Sequence, residues 1–148
     1  MKTTRRKFIK SCCYSALGIS IVGPLLQSCG TIYYASVSRN ENELIVAKSE
    51  FLKVKENKTI NRNFVLIKTE SFGFPICLYK TEENHFIASL LKCTHRGCEL
   101  NVGGGIYTCP CHGSEFSITG KVLEGPATEE LITFKTNTDN DNIYIQLS

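Results

Sequence analysis

A chain of 148 residues is long enough for one domain with a buried core, and its formal net charge of +3 looks mildly basic. The excess sits at the front: five of the 17 basic residues (Lys2, Arg5, Arg6, Lys7, Lys10) fall in the first ten positions. From Cys29 onward twelve basic residues face fourteen acidic ones, a net charge of −2. That distribution excludes a nucleic-acid partner, which needs a basic patch on the folded domain.

In chain order, Thr4-Arg5-Arg6-Lys7-Phe8-Ile9-Lys10 resembles a twin-arginine export signal, with a hydrophobic residue two positions after the arginine pair. An ordinary secretion signal, or the positive flank of a retained anchor, is the plainer alternative. The apolar run over 14–26 is interrupted by Gly18, Gly23 and Pro24, and the 18 residues between Lys10 and Cys29 barely reach across a bilayer. Leu26-Gln27-Ser28-Cys29-Gly30 resembles a bacterial lipobox, with Gln27 departing from the commonest form. Residues 1–28 are therefore expected to be a signal peptide and Cys29 a lipidation site. Residues 29–42 are expected to be a tether and 43–148 the folded domain. The expected location is the bacterial cell envelope, on the outer side of the cytoplasmic membrane and held there by lipid.

Residues 30–42 are polar with little pattern. Beyond them the chain reads as strands: 44–47, 64–68, 76–80 and 86–91 are short apolar or alternating runs split by Asn, Gly, Pro and Glu. Ile143, Ile145 and Leu147 alternate with Tyr144 and Gln146, as in a strand with one buried face. That strand is expected to pair with 131–135 across a polar turn at 136–142. No segment holds a helical period. Gly103-Gly104-Gly105 joins 100–102 to 106–108 as a hairpin turn; a phosphate cradle would need a helix start after it to supply amides.

Eight cysteines are many for this length, and they are clustered. Cys12, Cys13 and Cys29 lie near the start, Cys77 stands alone, and Cys93, Cys98, Cys109 and Cys111 fall within 19 positions. Four cysteines with two histidines in so short a stretch point to a metal rather than a disulfide scaffold. They form two boxes, Cys93-Thr94-His95-Arg96-Gly97-Cys98 and Cys109-Pro110-Cys111-His112-Gly113-Ser114. Each box offers one thiolate and one imidazole, so two facing loops can close on a metal centre. Thiolates suit ferric iron and neutral imidazoles suit ferrous iron. Cys93 and Cys109 on one iron, with His95 and His112 on the other, make the two irons inequivalent, and the neutral pair raises the potential. Two Cys and two His also satisfy tetrahedral zinc. Zinc accounts for neither the second cysteine of each box nor the Cys-Pro-Cys-His-Gly-Ser string.

The two boxes resemble the cluster-binding boxes of the Rieske iron–sulfur family, in the version found in cytochrome bc complexes, and the likeness is sharpest over 93–116. It implies an all-β Rieske fold: an antiparallel β-sandwich-like base with a small inserted cluster-binding subdomain of two loops, about residues 92–117. It implies one 2Fe–2S cluster ligated by Cys93, His95, Cys109 and His112, and a disulfide between Cys98 and Cys111 in place of two free thiols, as suits an exported protein. Ser114 would donate its hydroxyl to a bridging sulfide. Phe116 stands where high-potential members have a tyrosine that bonds a ligand sulfur. Gly125-Pro126-Ala127 resembles a loop covering the cluster, the alternative being an ordinary Gly-Pro turn. The thirteen residues between His95 and Cys109 make a shorter insert than in the respiratory-complex members. His85 is expected at the surface and Cys77 in the core.

Three functions are implied. The first is a one-electron carrier tethered to the membrane, a respiratory component whose redox partner is a cytochrome or a quinol-oxidising membrane complex. It would have no catalytic residues of its own. The second is the small Rieske subunit of a larger periplasmic oxidoreductase, such as an arsenite-oxidase-like molybdenum enzyme. The third, a Rieske oxygenase, needs two further histidines and a carboxylate for a catalytic iron. With three histidines in the sequence and two spent on the cluster, it fails.

Overall fold

The computed structural model describes residues 32–55, 58–82 and 84–147. The expected signal peptide and the expected lipidation site, Cys29, lie outside these residues. Fourteen short strands carry the described chain: β1 (Val37–Arg39), β2 (Glu43–Ala47), β3 (Leu52–Lys55), β4 (Lys58–Asn61), β5 (Phe64–Ile67), β6 (Ile76–Glu82), β7 (His85–Leu90), β8 (Asn101–Gly103), β9 (Ile106–Thr108), β10 (Glu115–Ser117), β11 (Val122–Glu124), β12 (Thr133–Phe134), β13 (Thr136–Thr138) and β14 (Asn142–Gln146). They form three four-stranded antiparallel sheets, ordered β12-β7-β6-β5, β1-β2-β14-β13 and β11-β10-β9-β8, and the separate hairpin β3-β4. The all-β, antiparallel expectation is met.

The sheet β12-β7-β6-β5 is the middle layer, and its composition explains why. Phe64-Val65-Leu66-Ile67, Ile76-Cys77-Leu78 and Phe86-Ile87-Ala88-Ser89-Leu90 are apolar runs rather than alternating ones, so both faces are buried. Successive side chains in a strand point to opposite faces. Val65, Ile67, Ile76, Leu78, Phe86, Ala88 and Leu90 thus enter one core with Leu44 and Val46 of β2 and Ile143 and Ile145 of β14. Leu66 and Cys77 enter a second core with Leu91, Cys93, Leu100, Tyr107, Cys109, Phe116, Ala127 and Leu131. The second core is the floor of the two boxes. Strands β2 and β14 alternate cleanly because only one of their faces is covered; Val46 opposes Ile143 and Leu44 opposes Ile145.

Three features differ from the sequence reading. Of the stretch 131–135 expected to pair with β14, Lys135 alone meets it, its carbonyl accepting from the Gln146 amide (3.0 Å). The strand partners of β14 are β2 and β13, which lies inside the stretch expected to be a turn, while β12 pairs with β7. The cause is Asp139: its Oδ1 accepts from the amides of Asp141 (2.9 Å) and Asn142 (2.6 Å), and its Oδ2 accepts from the Tyr144 hydroxyl (2.7 Å). These bonds hold the Asp139 carboxyl down to about 2, the Tyr144 hydroxyl first and then the two amides. One Asx turn therefore closes the hairpin tightly and frees Thr136–Thr138 to extend.

The expected tether is also folded from Ile32 onward. The Leu66 amide donates to the Tyr33 carbonyl (3.0 Å) and the Ala35 amide to the Leu66 carbonyl (2.8 Å), forming a parallel bridge on the edge of β5. Strand β1 then pairs with β2. Finally, a short 3-10 turn at Lys48–Phe51 buries Phe51 against Phe86, ring centroids 5.2 Å apart, and leads into the hairpin β3-β4. No helix among the described residues is long and apolar enough to cross a membrane.

Candidate metal centre

The two boxes are built on one plan. In the first, the Cys93 amide donates to the Cys98 carbonyl (2.8 Å) and the Gly97 amide to the Cys93 carbonyl (2.8 Å). In the second, the Cys109 amide donates to the Ser114 carbonyl (2.8 Å) and the Gly113 amide to the Cys109 carbonyl (3.1 Å). Both loops close by turning through a glycine with positive φ, +74° at Gly97 and +81° at Gly113, a conformation that a side chain at Cβ disfavours. Strand geometry sets the loops in place: the first leaves β7 through Leu91, whose amide is held by the Pro75 carbonyl (2.9 Å), and the second joins β9 to β10. The β8-β9 hairpin turns at the glycine run, as expected from the sequence.

The structure pairs the predicted side chains, thiol with thiol and ring with ring. Cys93 and Cys109 are free and buried, and the His95 and His112 rings lie edge to face with centroids 4.9 Å apart. Burial pushes the Cys109 thiol up. The backbone amides of Cys111 and His112, with the Cys93 thiol beside it, outweigh burial and hold it below its ordinary value. A thiol poised this way is ready to act as an anionic ligand. His95 Nδ1 is buried and finds no hydrogen-bond partner among the described residues. An orphaned nitrogen of this kind costs free energy unless something else accepts its lone pair, and a metal ion does so.

Cys98 and Cys111 form the expected disulfide, with Cα atoms 6.5 Å apart. The sulfurs of Cys98, Cys109 and Cys111 lie within 4.8 Å of one another, but a disulfide sulfur has no thiolate to offer, so this trio is not a ligand set. The residues that could hold a metal centre are Cys93 and Cys109 with His95 and His112. The disulfide laces their two loops together.

A third loop clasps both boxes. The Ala127 amide donates to Ser114 Oγ (3.0 Å), and Thr94 Oγ1 donates to the Glu129 carbonyl (2.7 Å). The Gly125-Pro126 bond in this loop is cis. Because the buried Ser114 oxygen accepts from Ala127, its own proton remains free to donate elsewhere. Phe116 is fully buried and opposes Tyr107 across β10 and β9. Sequence reading did not single out Thr94 or Tyr107. Tyr107 is fully buried, and the Ile118 carbonyl accepts from both its hydroxyl (3.5 Å) and Ser89 Oγ (3.3 Å). Cys77 is in the core as expected, its thiol pushed up to about 12 by burial. His85 is exposed and bonded to Thr81 Oγ1 (2.7 Å).

Two buried thiols and two imidazoles, gathered by paired loops on an all-β base, define a metal-cluster protein with mixed sulfur and nitrogen ligands. The profile of the Rieske [2Fe-2S] domain matches residues 43–135, more than half of the chain. The protein belongs to the Rieske [2Fe-2S] family and carries one 2Fe–2S cluster. It is 46% identical over 55 residues to the cytochrome b6-f complex iron-sulfur subunit of Synechococcus sp. (strain RCC307), a match covering 36% of this chain and 31% of that one. The corresponding subunit of Prochlorococcus marinus (strain MIT 9303) is 42% identical over 55 residues, again 36% and 31% of the two chains. The match thus spans about a third of the length of these curated relatives. Among solved structures, the plasma membrane Rieske protein PetC3 from Synechocystis PCC 6803 is 34% identical with a TM-score of 0.51, covering 57% of this chain and 86% of that one. A naphthalene 1,2-dioxygenase shares the fold alone, at 15% identity and a TM-score of 0.54 over 72% of this chain and 26% of that one.

Hydrogen bonds to cluster sulfurs are a main control of potential in such centres, because each donor stabilises the added negative charge of the reduced state. Ser114→Ala removes a candidate donor and should lower the midpoint. Phe116→Tyr supplies a hydroxyl where this chain has none and should raise it. Protein-film voltammetry of wild type and both variants measures this; no response to either substitution would show that these positions do not set the potential.

Proposed function

We propose that the chain is a one-electron carrier whose cluster is held by Cys93 and Cys109 on one iron and His95 and His112 on the other. It is exported through its twin-arginine signal and tethered by lipid on Cys29 to the outer side of the bacterial cytoplasmic membrane. Its redox partner is a cytochrome or quinol-oxidising complex of the respiratory chain. The observations that carry the ligand assignment are two buried free thiols, two histidine rings in contact and the unpartnered His95 Nδ1, all on two loops joined by a disulfide. The cluster, when bound, takes up and releases a single electron. The protein's own part is to present two anionic and two neutral ligands and to hold both loops still through Thr94, Ser114 and the disulfide. A carrier needs that rigidity, because it must return to the same geometry after each electron.

The kinship with cytochrome b6-f iron-sulfur subunits supports a quinol- or cytochrome-linked partner. The arginine pair and the lipobox support export and acylation. The test is composition and spectroscopy. Protein from its native host should contain two irons and two labile sulfides per chain and give a rhombic electron paramagnetic signal when reduced, while the mature N-terminus should be an acylated Cys29. Stoichiometric zinc without iron would overturn the cluster assignment, and an intact Met1 would overturn the anchor.

A further inference from the structure

The hairpin β3-β4 carries apolar side chains that the fold does not bury. Leu52, Val54 and Ile60 are 47, 74 and 47% exposed, on a two-stranded sheet that pairs with no other described strand. Register and alternation place Leu52 and Val54 on one face, opposite Asn61 and Thr59. Lys53, Ile60 and Lys58 fall on the other face. Residues 52–61 hold three lysines and one carboxylate, Glu56, on a chain that is net negative from Cys29 onward. Basic and apolar groups are thus concentrated on one separate hairpin.

The same element sits beside the point where the N-terminal segment reaches the domain. The Tyr33 hydroxyl donates to Glu50 Oε2 (2.6 Å), and the Arg62 guanidinium lies 3.8 Å over the Tyr33 ring. Arg62 Nη1 also donates to the carbonyls of Glu50 and Leu52. Both feet of the hairpin are therefore clamped to Tyr33, only four residues after Cys29. Four residues reach at most about 14 Å.

We propose that this hairpin docks on an anionic phospholipid surface of the phosphatidylglycerol class. The ribbon enters on edge, Leu52 and Val54 on one face and Ile60 on the other reaching the boundary between headgroups and acyl chains, while Lys53 and Lys58 extend back to lipid phosphates. The inference rests on the lipid-anchored reading of Cys29, which brings the hairpin within one short leash of the bilayer. Peripheral anchoring is commonly shared between a lipid and a basic patch, and long lysine stems let the charge stay in the headgroup layer while the stem lies on apolar surface.

The chain contains no tryptophan, so one introduced residue reports its own surroundings. The full chain carrying Val54→Trp should show blue-shifted emission with phosphatidylglycerol vesicles and none with phosphatidylcholine vesicles. Leu123→Trp, at an exposed position on β11, should not shift with either. Adding Lys53→Gln and Lys58→Gln to Val54→Trp should weaken vesicle partitioning about 30-fold, from the attraction of two lysines for an anionic surface. Because the emission is local, binding by residues 1–28 cannot produce it. Identical emission from the Val54→Trp chain in buffer and with either vesicle would overturn the inference. So would a blue shift without lipid that grows with protein concentration, the mark of a second copy covering the hairpin. Mass spectrometry of the N-terminus separates the two readings: an unshifted emission with acylated Cys29 sinks the docking surface alone, whereas a shifted emission with unmodified Cys29 sinks the anchor alone.

Discussion

Replacing His95 or His112 with leucine should abolish the rhombic electron paramagnetic signal and reduce bound iron from two per chain to near none. Each box supplies one imidazole, and leucine fills similar space without a lone pair, so one iron would lose a ligand that the rest of the site cannot replace. Any residual iron should be lower in the His95 variant. That ring is half-buried and its Nδ1 has no protein partner among the described residues, so no neighbour stands in for it. His112 is more exposed, and water can occupy the space its ring leaves. The fold should survive, because neither ring belongs to either hydrophobic core. Far-ultraviolet circular dichroism should therefore change little. His85→Leu is the internal control: that ring is exposed and bonded to Thr81, and its loss should leave signal and iron unchanged. A full signal from either ligand variant would refute the assignment.

The Cys98→Ala/Cys111→Ala double variant should lose about 3 kcal/mol of stability. The bridge joins residues 13 apart in sequence, and closing a loop of that size restricts the unfolded chain by roughly this amount. For a domain of this length the loss corresponds to a fall in Tm on the order of 10 °C. Replacing both cysteines avoids a stray thiol beside Cys109 that could compete for iron. The boxes keep their own backbone bonds and the Thr94 and Ser114 contacts, so the cluster should still assemble, then decay faster on warming. Thermal denaturation followed together with the paramagnetic signal measures both. A Tm within about 2 °C of wild type would show that the third loop alone holds the boxes, given that each kcal/mol shifts a domain of this size by a few degrees.

The site was more legible in the sequence than the fold around it. Ligand chemistry demands particular residue types at fixed spacing, and short loops keep those residues together, so Cys93, His95, Cys109 and His112 stood out as candidates. Thr94 did not, because its partner carbonyl is 35 residues away and a threonine in a loop carries no sign of a distant acceptor. Tyr107 was hidden for a related reason: its neighbours in a three-residue strand give too short an alternation to announce full burial. Among the strands, β5, β6 and β7 were plain because a sheet buried on both faces must be apolar throughout. Strand β13 was not, since Thr136, Asn137 and Thr138 are polar and pair only because Asp139 tightens the turn beyond them. The hairpin β3-β4 does alternate, Leu52-Lys53-Val54, but its apolar residues stay exposed, so the pattern names a strand without naming a core.

Neighbouring residues of the middle sheet belong to different cores: Val65 and Ile67 to one, Leu66 to the other, and likewise Ile76 and Leu78 against Cys77. The middle sheet is thus a wall shared by two hydrophobic cores. Opening the core beneath the boxes should expose Leu66 and Cys77 but leave the backbone ladder of β5, β6 and β7 intact, because the opposite face remains packed. Amide protons of that ladder should therefore exchange only through global unfolding, while those of β8 to β11 exchange through a smaller, local opening.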